Sequence, residues 1–262
     1  MKIRLFSASF PVTDTVRLAE YEEVLRRNCK CESIDEICLF REGDADPPIR
    51  CTKLDVRRAP HRPLYSEYFA WMNEFAAPDD VSILANADIY FDDQLELFRR
   101  WSLPSETAFM LATWDVDDRG DSSLRYRNDS QDVWIFRGPV RPVASAYPVG
   151  VARCDNRIAY DLAVAGYTVE NPSFSIKTHH LHAGERRRYA EGIHSELIPP
   201  PYRYQWPHNL WPLPRTAAYN RKHPSQRIGW RFDKKWWEPK LKLHWFSKAL
   251  KTLRGRRLEG LE

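Results

Sequence analysis

Apolar and polar positions change period along the chain, and the change predicts strands and helices in turn. Alternation predicts a strand over 2–10, and apolar residues at helical spacing predict a helix over 15–28. The same patterns predict strands over 34–40, 51–57, 81–85, 107–114, 132–137 and 173–178, and helices over 64–75, 156–166 and about 240–253. Strands that alternate with helices predict an α/β domain with a mixed, mostly parallel sheet flanked by helices.

The segment 81–85, VSILA, is a short apolar run typical of a buried strand, and it ends at the sequence NAD, residues 86–88. Ligands of such a sheet collect at the carboxyl ends of the strands, so Asp88 is expected at the edge of a site. Hard divalent cations prefer carboxylate oxygens, which makes Asp88 the best candidate metal ligand. The alternative is a turn aspartate, and Asp92 is expected to be a helix N-cap without a role in the site.

Three histidines fall within four residues, in the sequence HHLH at 179–182. In an extended segment His180 and His182 point to the same face, and His179 points away. One imidazole of that pair is expected to bind the same metal as Asp88. Solvated loop histidines would have the same sequence pattern, so the cluster indicates a metal site only when it is taken together with Asp88.

Two later carboxylates are candidates for a proton-transfer step. Asp155 is predicted to be the N-cap of the helix 156–166, which ends at Gly166. A carboxylate fixed at a helix start can accept the proton of a substrate hydroxyl, although a cap without a catalytic role would look the same. Asp132 opens the apolar strand 132–137 and is the rival base, or a hydrogen-bond partner of substrate hydroxyls.

Charge and prolines divide the chain near residue 198 into a domain, 1–198, and an extension, 199–262. The last sixty residues hold 15 lysines and arginines against 4 acidic residues, a net charge of +11 in a chain whose total is +4. They also hold six of the ten tryptophans. A basic, aromatic extension predicts an anionic or carbohydrate partner such as a polysaccharide, a membrane surface or a nucleic acid. The simpler alternative is that its tryptophans pack on the domain and its cations face solvent.

Hydropathy and cysteine content suggest a compartment. The sequence has no apolar run of about 18 residues and no signal-peptide pattern, so a cytoplasmic protein is expected, peripheral at the membrane if the extension binds lipid. The five cysteines are odd in number and form no paired CxxC elements, so reduced thiols are expected.

The strings ANADIYFDDQL, NDSQDVWIFRGP and CDNRIAYDLAVAGYTVENPSFSIKTHHLH resemble a group of GT-A-type, nucleotide-sugar glycosyltransferases, over about residues 1–190. The resemblance implies a GT-A, Rossmann-like fold in which NAD takes the place of the DxD motif that binds metal and nucleotide sugar. It implies Mn²⁺ or Mg²⁺ on Asp88, with His180 or His182 as the late histidine ligand. Asparagine stands in the first motif position, so Asn86 would be the residue that contacts the ribose or the metal.

The resemblance also places residues around the donor and the acceptor. Ser7 and Ala8, at the end of the first strand, would lie near the nucleotide base, and Arg62 is a looser candidate for the donor pocket. Asp155 matches the catalytic acidic residue of inverting enzymes, so inversion is expected only if Asp155 is the base.

The function implied is sugar transfer from a nucleotide-diphosphate donor, with a UDP-sugar favoured, to an acceptor hydroxyl on a glycan or surface-polysaccharide precursor. Some relatives of the fold glucosylate modified bases in DNA, and the basic extension keeps DNA open as a partner. Two other classes compete: a noncatalytic nucleic-acid- or glycan-binding protein, and another metal-dependent enzyme such as a nucleotidyltransferase or phosphohydrolase.

Overall fold

The computed structural model describes residues 1–43, 47, 49–181 and 198–232. The elements are, in chain order, β1 Ile3–Ser9, α1 Thr15–Lys30, β2 Glu36–Glu42, β3 Leu54–Ala59, α2 Tyr65–Phe75, β4 Val81–Ala85, β5 Ile89–Tyr90, a 3₁₀ turn Asp93–Glu96, α3 Leu97–Arg100, β6 Thr107–Leu111, β7 Trp114–Val116, β8 Ser122–Leu124, β9 Val133–Arg137, α4 Cys154–Val164, β10 Thr168–Glu170, β11 His179–Leu181 and α5 Leu213–Lys222.

A seven-stranded sheet in the order β10-β6-β9-β4-β1-β2-β3 forms the centre of the protein. Strand β9 runs antiparallel to its neighbours β4 and β6, and the other pairs in this sheet are parallel. The expected fold class, a Rossmann-like, mixed and mostly parallel sheet flanked by helices, is therefore confirmed. All five residues of β4 are buried, as a continuous apolar run requires of a strand covered on both faces.

Alternate residues of the central strands pack into two apolar clusters, one on each face of the sheet. Ile83 belongs to the cluster that includes Leu25 of α1, whereas Leu84 belongs to the cluster formed with α2 and α4. The aromatic helix α2 fills the second cluster, where Trp71 packs edge-on against Phe40 with ring centroids 4.6 Å apart. Such aromatic pairs add roughly 0.5–1.5 kcal/mol each to the burial of their area, so the helix is held firmly beneath the sheet edge.

A second, four-stranded sheet in the order β5-β11-β7-β8 aligns the histidine segment with earlier parts of the chain. In β11, His180 is in register with Ile89 of β5 on one side and with Asp115 of β7 on the other. The amide of Leu181 donates to the Asp88 carbonyl at 3.0 Å. This pairing brings the end of β4 beside residues that follow it by about ninety positions.

Two boundaries differ from the sequence prediction. The run 107–114 divides into β6 and β7, because the Ser173 hydroxyl accepts the Ala112 amide at 2.8 Å, so that a side chain takes the place of a ladder partner. The strand predicted over 173–178 is wrong. The amides of Ser175 and Ile176 fold back onto the Pro172 carbonyl in a turn, and the strand begins only at His179.

The N-cap assignment of Asp155 is also wrong. Helix α4 begins at Cys154 after Arg153, whose φ of 71° is left-handed, so Asp155 lies in the first turn. Gly166 follows the helix with a φ of 87°, as expected of a C-terminal glycine.

Two further features were not expected. Cys29 and Cys51 form a disulfide, which corrects the expectation of five reduced thiols, while Cys31, Cys38 and Cys154 are free and buried. Helix α5 lies in the segment expected to be irregular, because proline is tolerated in the first turn of a helix, where amide hydrogens have no helical partner.

The chain divides into a compact unit, Met1–Trp230, and a second unit, Arg231–Glu262. Residues 198–230 belong to the first unit, and the boundary predicted at residue 198 stays a prediction. The helix predicted near 240–253 and the candidate ligand His182 lie outside the described residues. No helix within the described ranges is long and apolar enough to cross a membrane.

Candidate functional site

A cleft that is open to solvent lies beyond the carboxyl ends of β1 and β4. Its walls include the expected donor-site residues Ala8, Arg62, Asn86 and Asp88. Ser7 lies beneath them, where its buried hydroxyl donates to the Ala85 carbonyl at 2.9 Å. The structure therefore brings together four of the five residues suggested for donor binding, although they come from three separate segments.

Asp88 is held between two cationic groups. Its Oδ2 lies 3.2 Å from Arg17 Nη2 and 3.4 Å from His180 Nε2. Burial alone would raise the pKa of the Asp88 carboxyl, but the hydrogen bond and charge of His180, with the charge of Arg17, hold that pKa below its usual value. Asp88 is therefore a carboxylate at neutral pH, as a metal ligand must be.

His180 is held from its other side by Asp115. Its Nδ1 lies 2.9 Å from Asp115 Oδ1, and Asp115 in turn accepts from Arg125 Nη2 at 3.0 Å. Burial lowers the pKa of the His180 imidazole, but its hydrogen bonds with Asp115 and Asp88 outweigh burial and raise the pKa to about 10. The imidazole is thus fixed in position and orientation by two carboxylates.

This arrangement fits a divalent cation that displaces the Nε2 proton of His180, because an imidazole with a pKa of about 10 is protonated at neutral pH and only the neutral ring is a metal ligand. An octahedral ion with ligands at roughly 2.1 Å keeps neighbouring ligand atoms roughly 3 Å apart, close to the 3.4 Å between Asp88 Oδ2 and His180 Nε2. Histidine ligands usually donate their other ring N–H to a carboxylate, which is the contact His180 makes with Asp115. Within the described residues no group of three or more acidic, histidine or cysteine side chains forms a ready metal cage, so a cation here would also need ligand atoms from substrate or water.

His179, the other histidine of the segment that the structure describes, lies outside this centre. His179 stacks on Tyr90 with ring centroids 4.8 Å apart, and its Nε2 lies 3.1 Å from Asp92 Oδ2. It therefore points away from Asp88, as the alternation predicted. Asp92 accepts the Gln94 amide at 2.9 Å and is the expected N-cap, here of the 3₁₀ turn.

A pair of acidic side chains lies next to the Asp88 group. Asp132 Oδ1 accepts from Asn86 Nδ2 at 2.8 Å, while Asp155 Oδ2 accepts the Gln131 amide at 3.2 Å. Burial, and then the negative charge of Asp88, raises the pKa of Asp132 to about 6. Burial, and then the charge of Asp132, raises the pKa of Asp155 to about 7. Asp132 and Asp155 therefore gain or lose a proton near neutral pH, whereas Asp88 stays ionised there.

Three residues of the site were missed in the sequence: Arg17, Asp115 and Arg125. Asp115 follows a buried apolar run as Asp88 does, and that signal could have identified it. Arg17 and Arg125 carried no local signal, because their partners lie on other elements.

The described part of the basic extension folds against the sheet. Trp211 is buried and packs edge-on against Trp101, with ring centroids 5.5 Å apart. These rings line an open groove with a basic rim formed by Arg100, Arg215, Arg221 and Lys222. The burial of Trp211 agrees with the simpler alternative for this segment, whereas the anionic or carbohydrate partner stays a prediction.

Comparison with known proteins gives matches to solved structures alone. No family model matches the chain, and no curated protein does. One similar structure is the mannosyltransferase PcManGT from Pyrobaculum calidifontis in complex with GDP-Man and Mn²⁺, at 13% identity and a TM-score of 0.45, covering 72% of this chain and 58% of that one. Another is S. aureus TarS 1–349 in complex with UDP-GlcNAc, at 10% identity and a TM-score of 0.47, covering 76% and 62%.

A third similar structure is a Francisella tularensis 2-C-methyl-D-erythritol 4-phosphate cytidylyltransferase, at 10% identity and a TM-score of 0.38, covering 74% of this chain and 98% of that one. This chain spans about three fifths of the length of the first two structures. Two of the three structures are complexes with a nucleotide sugar, the donor class of the group that the sequence strings resemble. Likenesses this loose assign no donor, acceptor or stereochemistry, which depend on the side chains described above.

Proposed function

We propose that this chain is a metal-dependent glycosyltransferase that moves a sugar from a nucleotide-diphosphate donor to an acceptor hydroxyl. One observation carries the proposal: His180, fixed by Asp115, faces Asp88 at the edge of a cleft beyond the carboxyl ends of the central strands. A cleft at that edge is where α/β sheets bind nucleotides. A histidine and a carboxylate suit Mn²⁺ or Mg²⁺ when diphosphate oxygens complete the coordination.

In this proposal Asp88 and His180 hold the cation, with His182 as a further candidate ligand. A bound cation would neutralise the charge that develops on the leaving diphosphate. Ala8, Arg62 and Asn86 line the same cleft and are proposed to contact the donor, with Ser7 supporting them from beneath. We propose a UDP-sugar as the first donor to test.

Asp155 is the proposed general base. A base is most effective when its pKa lies near the working pH, and the pKa of Asp155 is raised to about 7. Asp132, whose negative charge contributes to that rise, is the positioning partner and the alternative base. Transfer would invert the anomeric centre if Asp155 takes the proton of the attacking hydroxyl.

The proposed acceptor is a glycan or a surface-polysaccharide precursor. The basic groove beside α5 favours an anionic acceptor, and a nucleic acid or an anionic membrane surface would meet the same charge. Binding to DNA should weaken steeply as salt is added, because phosphate contacts release counterions. Binding that depends little on salt would instead indicate a glycan held mainly by stacking and hydrogen bonds.

The test begins with thermal unfolding in the presence of UDP-, GDP-, TDP- and CMP-sugars, with and without Mn²⁺. We expect one donor class to raise the midpoint only when Mn²⁺ is present. H180Q should abolish that shift, whereas H179Q should retain it, because His179 contacts Asp92 and Tyr90 instead. The products should be a nucleoside diphosphate and a transferred sugar. Absence of a shift with every donor, or a nucleotidylated product, would contradict the proposal.

A further inference from the structure

We propose that Arg17 couples metal binding to donor binding: its guanidinium opposes a divalent cation on Asp88 while the cleft is empty and contacts the donor diphosphate once the cleft is filled. The inference deepens the proposed function and rests on it. It assigns a role to a helix residue that neither the acidic motif nor the histidine segment contains.

Arg17 is built into the site by contacts on several sides. Its Nη2 lies 3.2 Å from Asp88 Oδ2, and its Nη1 lies 2.5 Å from Glu20 Oε2. The guanidinium also lies over the ring of Tyr21, 5.0 Å from the centroid. Only 13% of the side chain is exposed, and the residue lines the cleft with Arg62.

The oxygen that Arg17 contacts is the one that faces His180. Asp88 Oδ2 lies 3.2 Å from the guanidinium and 3.4 Å from the imidazole, so a cation shared by Asp88 and His180 would lie close to Arg17. Two positive centres that meet at one carboxylate oxygen repel each other, and they do so strongly where water is largely excluded. Arg17 should therefore weaken metal binding to the empty cleft.

A nucleoside diphosphate reverses that effect. Its negative charge attracts the cation and the guanidinium together, and a guanidinium fork matches phosphate oxygens well. With the diphosphate present, Arg17 changes from a competitor of the metal into a partner of the same ligand. By linkage, each ligand must then raise the affinity for the other by the same factor.

The test measures Mn²⁺ affinity of the full chain, from the electron paramagnetic resonance signal of free Mn²⁺, with no nucleotide, with UDP and with GDP. For the wild type we expect one of these nucleotides to raise the Mn²⁺ affinity at least tenfold. R17Q should bind Mn²⁺ alone roughly tenfold more tightly, from the Coulomb repulsion it removes, and should lose most of the enhancement by nucleotide. These opposite signs separate the proposal from a structural role, since a loosened Asp88 would weaken both measurements.

Two control variants accompany R17Q. In R17Q the buried carboxylate of Glu20 loses its ion-pair partner, which could disturb the fold. R17Q/E20Q removes that carboxylate as well, and we expect it to bind Mn²⁺ as R17Q does. R27Q is the charge-matched control from the same helix: the Arg27 guanidinium pairs with Glu23 at 2.8 Å and lies over the Tyr90 ring, 4.5 Å from the centroid, so Mn²⁺ affinity with and without nucleotide should stay near the wild-type value. If the wild type shows coupling and R17Q keeps it, the inference about Arg17 is wrong while the proposed function stands. If the wild type binds no Mn²⁺ with either nucleotide, both fail.

Discussion

Replacing Asp155 by asparagine should abolish sugar transfer and, at alkaline pH, make the protein more stable. The pKa of Asp155 is raised from 3.8 to about 7 by burial and by the charge of Asp132. The folded protein therefore holds this proton more tightly than the unfolded chain does. The resulting stabilisation is complete below pH 3.8, declines as pH rises through the folded pKa, and is gone above it.

The magnitude follows from the shift in pKa. A shift of about three units corresponds to about 4 kcal/mol at roughly 1.4 kcal/mol per unit, and about 3 kcal/mol of this should develop between pH 5 and pH 8. D155N does not titrate and avoids that loss. Its amide also loses one of the two backbone N–H contacts that Asp155 accepts, at a pH-independent cost of about 1 kcal/mol.

Urea unfolding in EDTA at pH 5 and pH 8 measures the difference between D155N and the wild type. We expect D155N to gain about 3 kcal/mol relative to the wild type between the two pH values. D129N is the matched control. Its ion pair with Arg127 lowers the pKa of Asp129, so that carboxyl is already ionised in both states at pH 5 and its variant should show no such trend.

Transfer by D155N should fall by roughly a hundredfold or more, the usual contribution of a general base. Donor binding should remain close to wild type, because the proposed donor contacts lie around Asp88. The same stability difference at both pH values would refute the account of the buried acidic pair. Full turnover by D155N would remove its assignment as the base.

Three other predictions test separate parts of the protein. The transfer rate should rise with pH through about 7, because Asp155 must lose its proton to act as a base, and initial rates from pH 5.5 to 8.5 measure this. D115N should weaken Mn²⁺ binding in the presence of nucleotide by roughly 10–100-fold, since it removes the carboxylate that orients His180, and isothermal titration measures that affinity. Gly229→Ala should destabilise the fold by roughly 1–3 kcal/mol in urea unfolding, because a Cβ there would lie 2.3 Å from the Phe174 carbonyl oxygen.

Local pattern predicted the central strands and the ends that carry the site. The run 81–85 is bounded by polar residues and has the bounds of β4, so Asp88 could be expected at the sheet edge before any tertiary contact was known. The alternation of the histidine segment likewise predicted that His180 and His179 point to opposite faces. Both inferences need only the side-chain period of a strand.

Contacts between distant parts of the chain place the other residues of the site, and the local sequence pattern could not predict them. Asp115 orients His180 only because β7 pairs in parallel with β11 in a register that sets these two residues side by side. Arg17 reaches Asp88 across 71 positions of sequence. The first turn of α5 was missed for a different reason, since its prolines disfavour a helix interior but suit a helix start.

The carboxyls of the site form two groups that differ in pKa: Asp88 on one side, and Asp132 with Asp155 on the other. Asp88 lies between Arg17 and His180, so its charge is balanced and its pKa is low, as required of a group that holds a cation at every physiological pH. Among the described residues no ion pair holds Asp132 or Asp155, and their pKa values rise to about 6 and about 7. Neighbouring carboxyls whose pKa values differ in this way are suited to different roles in acid–base chemistry. Such a pair favours the proposed enzyme over a noncatalytic binding protein, because a base that accepts the proton of an attacking hydroxyl is most effective near its protonation midpoint.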